Sequence, residues 1–267
     1  MRINHNIAAM NTYRQYNTNT TATNKAMEKL SSGFRINRAA DDAAGLSISE
    51  KMRSQIRGLT QATRNAQDGV SLLQTAEGAL NEVSDMLVRL KELAVQVTNG
   101  TYSTDDKNNI GAEMKALGTA IDDIYTNTKF NGIAIFGTAS DIKYGEDGGQ
   151  TVTVAAATTT AKAALKTATD AADSTPGGVT NALVEASITE VNTSRATYGA
   201  QQNQLEHAAN NMATTKENLQ AAESRVRDVD MAEEMMSYTK NNILLQAAQA
   251  MLAQANAQPQ GVLQLLQ

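Results

Sequence analysis

The sequence predicts a mainly α protein: a long coiled-coil or helical-bundle rod built from paired N- and C-terminal segments, with a small β-hairpin region in the middle. Three observations predict it. Apolar or small residues step by three and four from Ala66 to Val97, a mean period of roughly 3.5 residues that marks a coiled-coil seam. A second thin helical pattern begins near Asn181 and ends in the apolar cluster Val262, Leu263, Leu265 and Leu266. Aromatic residues make up 4% of the 267 positions and Trp is absent, so the apolar mass is spread along seams instead of filling one large core. Neither end can bury such a stripe alone. The two must pair with each other or with other copies of the chain.

Ile3, Ile7 and Met10 begin a helical stripe, but Asn17 to Asn24 is a polar run of weak helix formers. The stripe resumes at Ala26, Met27 and Leu30. A helix this thinly apolar is marginal in water, so residues 1 to about 40 are expected to be disordered in the free monomer and ordered by partners. After Asp41-Asp42, Ser47-x-x-Glu50 reads as a capping box. The seam of the following helix comprises positions 66, 70, 73, 76, 80, 83, 87, 90, 94 and 97, and Asn99-Gly100 closes it. A continuous helix from Asp42 to Asn99 would span roughly 87 Å.

Ser103-x-x-Asp106 can cap the next helix, which places Ile110, Met114, Leu117, Ile121 and Ile124 on one face and stops near Asn127. Asn131-Gly132, between Phe130 and Ile133, reads as a turn between strands, and Ile142–Tyr144 with Thr151–Val154 forms a second hairpin. Residues 155 to 175 are an Ala/Thr mixture with the propensity for helix but little to bury. Helix returns at Asn181, with Leu205, Ala209, Met212, Leu219, Ala222, Val226 and Val229 as its seam. Met235, Met236, Ile243, Leu244, Ala247, Ala250 and Met251 carry the seam on. Both prolines, Pro176 and Pro259, are read as lying outside the long helices.

Composition narrows the function. A net charge of -5 lacks the basic footprint of nucleic-acid binding. The chain has no Cys, which removes disulfides, thiolate metal sites and thiol nucleophiles. His5 and His207 are its two histidines and read as solvated helix residues. No P-loop, dinucleotide fingerprint or His-Glu-x-x-His motif occurs. The pairs Asp41-Asp42, Asp105-Asp106 and Asp122-Asp123 read as helix-start charges favoured by the macrodipole, not as catalytic dyads. Met231, Met235, Met236 and Met251 could form an adaptable binding surface but read first as packing residues. Enzyme chemistry and cofactors therefore have no residues to rest on. Met1 to Met10 lacks the apolar core of a secretory signal peptide. No run approaches a membrane span, so a soluble chain without membrane insertion is expected.

Several blocks together resemble bacterial flagellin. At the front they are Leu30-Ser-Ser-Gly-Phe-Arg-Ile-Asn37, Asp41-Asp-Ala-Ala-Gly45, Gly58-Leu-Thr-Gln-Ala62, Asp68-Gly69, Thr75-Ala-Glu-Gly-Ala-Leu-Asn81, Glu92-Leu-Ala-Val-Gln96 and Phe130-Asn-Gly132. At the back they are Arg195-Ala-Thr-Tyr-Gly-Ala200, Ala222-Glu-Ser-Arg-Val-Arg-Asp-Val-Asp230, Met251-Leu-Ala-Gln-Ala-Asn256 and Gln258-Pro259. The resemblance implies a terminal coiled-coil domain from residues 1–41 and 227–267, lining the inner tube of a filament. It implies a rod-like helical domain over 42–226, with a short variable region at about 138–180 where other flagellins insert outer domains. It implies a homo-polymer outside the cell, in the bacterial flagellum, reached unfolded through the flagellar type III secretion system.

The implied partners are a flagellar export chaperone on about residues 228–267, hook-filament junction and cap proteins, and the vertebrate flagellin-sensing Toll-like receptor. The receptor positions carried over are Arg89, Leu93 and Glu113, with Leu93 expected to be partly exposed beside the seam. The self-assembly and chaperone-binding positions are Ile3, Ile7, Met10, Leu30, Ile243, Leu244, Met251, Leu252, Val262, Leu263, Leu265 and Leu266. Two rivals are a chemoreceptor-like signalling coiled coil, which should show one uninterrupted heptad hairpin, and a junction or cap protein of the same secretion system.

Overall fold

The computed structural model describes residues 6–137, 139–154, 160–172 and 175–265, with backbone alone over 259–265. His5 and Ile3 therefore lie outside the described residues, as does Leu266. Among the described residues six α-helices, four short strands and one 3-10 turn (Pro176–Gly178, between α4 and α5) occur: α1 (Ile7–Ser32), α2 (Ala43–Thr98), α3 (Thr104–Asn127), β1 (Lys129–Phe130), β2 (Ile133–Ala134), β3 (Ser140–Lys143), β4 (Thr151–Val154), α4 (Thr160–Asp170), α5 (Asn181–Arg227) and α6 (Met231–Leu265). They fall into two compact units, one of Met1–Ser54 with Asn218–Gln267 and one of Gln55–Glu217.

In the terminal unit, α1 runs unbroken through the polar Asn17–Asn24 stretch. Its threonines explain how: Thr18, Thr20, Thr21 and Thr23 donate their hydroxyls to the carbonyls four residues earlier, at 2.8–3.0 Å. The hydroxyls are thus satisfied within the helix instead of diverting its backbone. Gly33, at φ 74°, ends α1 in the left-handed conformation, its N–H donating to the Lys29 carbonyl at 2.8 Å.

The α1–α2 and α5–α6 connections then pair. Phe34 bridges Asp228. The Arg35 N–H donates to the Arg227 carbonyl at 2.7 Å, and the Val229 N–H to the Gly33 carbonyl at 3.1 Å. The Arg35 guanidinium reaches the Val226 carbonyl at 2.6 Å. Arg227 lies over the Phe34 ring, 5.0 Å from its centroid, and donates to Glu50 at 2.6 Å. Arg53 adds a looser pair to Glu223 at 3.8 Å.

The start of α2 corrects the expected cap. Asp42, not Ser47, ends the loop, its carboxylate accepting from the Gly45 N–H at 2.9 Å. A methyl group on Gly45 would lie 2.8 Å from Ile36 Cδ1. The glycine therefore lets fully buried Ile36 seat against the helix start. Asp41 accepts from the Arg38 and Asn37 N–H groups, which holds its carboxyl below the usual range. Glu50 pairs with Arg227 and, more loosely, with Arg53. Pro259 is a second correction. It lies within α6, not beyond it.

In the rod unit, nine of the ten seam positions on α2 are buried, Val70 being half-buried. Leu72 and Leu93 are buried beside them, so the stripe is wider than a two-helix seam. It faces two neighbours: Arg89 pairs with Glu113 on α3 and Lys91 with Glu185 on α5, at 2.9 and 2.8 Å. Ser103 and Asp106 form the expected capping box on α3, and hydrogen bonds donated by the Ser103 hydroxyl and the Ser103 N–H hold the Asp106 carboxyl below its usual range.

The buried face of α3 is Gly111, Met114, Gly118, Ile121 and Tyr125, rotated from the expected one; Ile110, Leu117 and Ile124 are half-buried. The cause is α4. Its residues Leu165 and Thr169, with Ala172 beyond its end, are buried, so the Ala/Thr segment does bury a face. A methyl group on Gly118 would lie 2.6 Å from Thr169 Cβ, and one on Gly111 would run into the Ala172 carbonyl. Asp122 is not a helix-start charge: Lys162 and Lys166 of α4 donate to it at 2.7 and 2.9 Å and hold its carboxyl below the usual range. Tyr125 packs 5.0 Å from Phe136, and burial pushes its phenol up to about 12.

β1 and β2 pair antiparallel around Asn131 and Gly132, at φ 49° and 81°, the signs a type I′ turn requires. β3 and β4 pair Ile142 with Val152. Gly69 of α2 leaves room for Ile142, whose Cδ1 would sit 2.6 Å from an added methyl. On α5 the buried residues Val184, Ser187, Val191, Ser194, Tyr198, Leu205 and Met212 extend the expected seam toward its N-terminus. Serines in the heptad positions hid that extension from an apolar pattern search.

Two glycines in helices should respond oppositely to alanine. Gly111→Ala drives a methyl into a backbone carbonyl and should lower stability by about 1–3 kcal/mol. Gly78→Ala meets nothing within 4 Å and should raise it by up to about 1 kcal/mol. Urea unfolding of the two variants checks both signs.

Candidate assembly surface

The heptads that join α1 to α6 are small and polar. On α1 the covered positions are Ala9, Thr12, Tyr16, Asn19, Thr23, Ala26 and Leu30, each three or four residues after the last. On α6 they are Glu234, Tyr238, Asn241, Leu245, Ala248, Leu252 and Ala255, in the same rhythm. Asn19, Ala26 and Ala255 are buried and the rest half-buried. Lys29 pairs with Glu234 at 3.5 Å near one end. At the other, Asn6 donates to the Ala255 carbonyl at 2.8 Å.

The large apolar side chains point elsewhere. Met236 is 68% exposed, Ile243 61% and Met251 59%, with Leu244 also exposed. At 100° per residue these four lie within an arc of roughly 100°, on the side of α6 away from α1. On α1, Ile7 is 67% exposed and Met10 65%. Met235, Met236, Ile243, Leu244 and Met251, read from the sequence as a continuation of the helical seam, are thus turned outward by the chain.

Of the expected assembly positions, Leu30 and Leu252 are half-buried in the hairpin, while Ile7, Met10, Ile243, Leu244 and Met251 are exposed. Val262, Leu263 and Leu265 continue α6, their side chains lying outside the described residues. Exposed Tyr13 was missed, although as the chain's earliest aromatic it carried a signal. Ile7, Met10 and Tyr13 on α1 and Met236, Ile243, Leu244 and Met251 on α6 are thus among the large apolar side chains left exposed to a partner.

The positions carried over for receptor contact divide. Arg89 and Glu113 are exposed and joined at 2.9 Å, and Arg89 also pairs with Glu92 at 2.9 Å. These two carboxylates raise the guanidinium's pKa, Glu92 contributing first. Leu93 is 1% exposed, which corrects the expectation of partial exposure. The broad α2 stripe serves α3 and α5 together, so the residue beside the seam is packed as well. His207 is exposed on α5. Among the described residues, no cluster of His, Asp and Glu could hold a metal ion, and no helix is long and apolar enough to cross a membrane.

Residues 3–141 match the bacterial flagellin N-terminal helical region, and residues 182–266 match the bacterial flagellin C-terminal helical region. The chain is 50% identical over its whole length to a flagellin of Halalkalibacterium halodurans, covering all of that protein. It is 48% identical to a flagellin of Bacillus subtilis, with 100% of both chains aligned. It is 44% identical to the flagellar filament 33 kDa core protein of Treponema phagedenis, again across 100% of both. The exposed rows on α1 and α6 lie within the two matched regions, and the chain belongs to the bacterial flagellin family.

Proposed function

We propose that this flagellin polymerises into the helical filament of the bacterial flagellum, outside the cell, and that the outward apolar rows of α1 and α6 supply the cohesion. One observation carries the reading: the terminal hairpin pairs mostly through alanine, threonine, asparagine and tyrosine, with Leu30, Leu245 and Leu252 among them, while Ile7, Met10, Met236, Ile243, Leu244 and Met251 face away. A hairpin built this way gains little from pairing alone. It gains about 25 cal/mol per Å2 when neighbouring copies cover its outer rows. Head-to-tail contacts whose rotation does not close yield an open helix of subunits.

The same imbalance makes α1 and α6 weakly held in a single copy. In this reading they are disordered in the free subunit and become ordered as it joins the filament tip, beneath the cap protein. The first subunits dock on the junction protein. The chain reaches the tip unfolded through the flagellar type III secretion channel, and a cytoplasmic chaperone covers the apolar row of α6, about residues 228–267, before export. The vertebrate flagellin-sensing Toll-like receptor meets the α2–α3 surface through Arg89 and Glu113, with Leu93 supporting that surface from beneath.

Ile243→Glu puts a charge on the outer row without touching the pairing face. It should leave the helical signal of the rod unchanged and raise the critical concentration for polymerisation at least about tenfold. Sedimentation of purified chain seeded with filament fragments reads this; unchanged polymerisation would count against the surface. Deleting Val262–Gln267 should likewise abolish filaments while the rod still unfolds cooperatively. Hydrogen exchange in dilute monomer should be fast throughout α1 and α6 and slow in α2, and only filaments should protect all three.

Leu93→Ala should lower rod stability by about 2–5 kcal/mol, whereas Arg89→Ala/Glu113→Ala should barely move the unfolding midpoint. If that folded double variant still activates a receptor-reporter cell line fully, the receptor reading fails.

A further inference from the structure

Pro259 sits inside α6 and has no N–H to donate. In an α-helix, the N–H of residue 259 would bond the carbonyl of residue 255, so Ala255 is left with an uncommitted acceptor on the buried pairing face. The structure supplies a donor from the opposite end of the sequence: Asn6 Nδ2 reaches the Ala255 carbonyl at 2.8 Å. The same side chain works in two directions. Its Oδ1 accepts from the Ala9 N–H at 3.0 Å and so caps the start of α1.

From this geometry we infer that Asn6, Ala255 and Pro259 form a register clamp, and that Asn6 is a positioning residue for assembly. Packing along α1 and α6 favours one register only weakly, because on one row of each helix a heptad slide exchanges residues of like kind: Thr12, Asn19 and Ala26 on α1, and Tyr238, Leu245 and Leu252 on α6. Pro259 is the one proline in α6, so Ala255 is the one interior carbonyl the helix itself leaves free. Asn6 can make its bond in a single register. That bond sets which outward residues of α1 lie beside which of α6, and therefore the pattern presented to the next subunit. The inference rests on the filament reading for its consequence, though not for its geometry.

Asn6→Asp separates the two duties: aspartate caps a helix as well as asparagine does but has no N–H to give. Pro259→Ala returns an N–H to position 259, which should satisfy Ala255 within α6. Four full-length chains are compared: wild type, Asn6→Asp, Pro259→Ala and the double variant. Asn6→Asp should raise the critical concentration about three- to tenfold when Pro259 is present and less than about twofold in the Pro259→Ala chain. Exchange of amides 7–20, measured by mass spectrometry on filaments, should quicken in the same pattern. An effect of equal size in both backgrounds, or no effect in either, overturns the clamp. If wild type itself forms no filaments, the filament reading falls separately, and the clamp is judged by coupling between the two substitutions in the exchange of amides 7–20 in the free chain. Absence of coupling there overturns it too.

Discussion

A coiled coil held by Thr12, Asn19, Thr23 and Asn241 is a poor one, and the organisation of this flagellin depends on that poverty. Apolar seams hold helices together because burial removes hydrocarbon from water. Here the terminal hairpin buries mainly small and polar groups, while Met236, Ile243 and Met251 remain exposed. In the proposed filament the inward face aligns the pair and the outward face is the one left for cohesion between copies. A helix pair with the opposite arrangement would be content as a monomer.

The terminal unit can tolerate a weak hairpin because its connections are firmly paired. Gly33 to Arg35 meets Val226 to Val229 through backbone hydrogen bonds, and Arg227 lies between the Phe34 ring and the Glu50 carboxylate. These contacts anchor the first turns of α2 and the last turns of α5 to the terminal unit. In the rod the helices need no such clasp. The broad stripe on α2, with Leu72 and Leu93 flanking the heptad seam, supplies a continuous core of the usual kind.

Glycines do much of the fitting. Gly45 admits Ile36 to the start of α2, Gly69 admits Ile142 of the β3–β4 hairpin, and Gly111 and Gly118 admit α4 to α3. Each forgoes helix propensity for a close approach. The β3–β4 hairpin and the α4 segment can then lie directly on long helices without long side chains between them.

Much of this was legible in the residues. The α2 seam, the Ser103–Asp106 cap, the Asn131-Gly132 turn and the return of helix at Asn181 all follow from local chemistry: periodic hydrocarbon, a hydroxyl and a carboxylate three apart, and a turn pair that accepts positive φ. What a residue faces is a different matter. Periodicity detects an apolar row but does not say whether the row meets its own chain or another copy, and it overlooks a seam made of threonine and alanine. Leu93 was misjudged because a second neighbour widened the buried arc. Gly111 and Gly118 were overlooked because a close approach leaves no hydrophobic mark, and Pro259 because its cost is offset by Asn6, 253 residues earlier. The sequence by itself determined most of the helical segments and the thin apolar rows at its two ends, since those depend on neighbours along the chain. Only the tertiary structure decided which face is inward, because that depends on groups brought together from opposite ends of it.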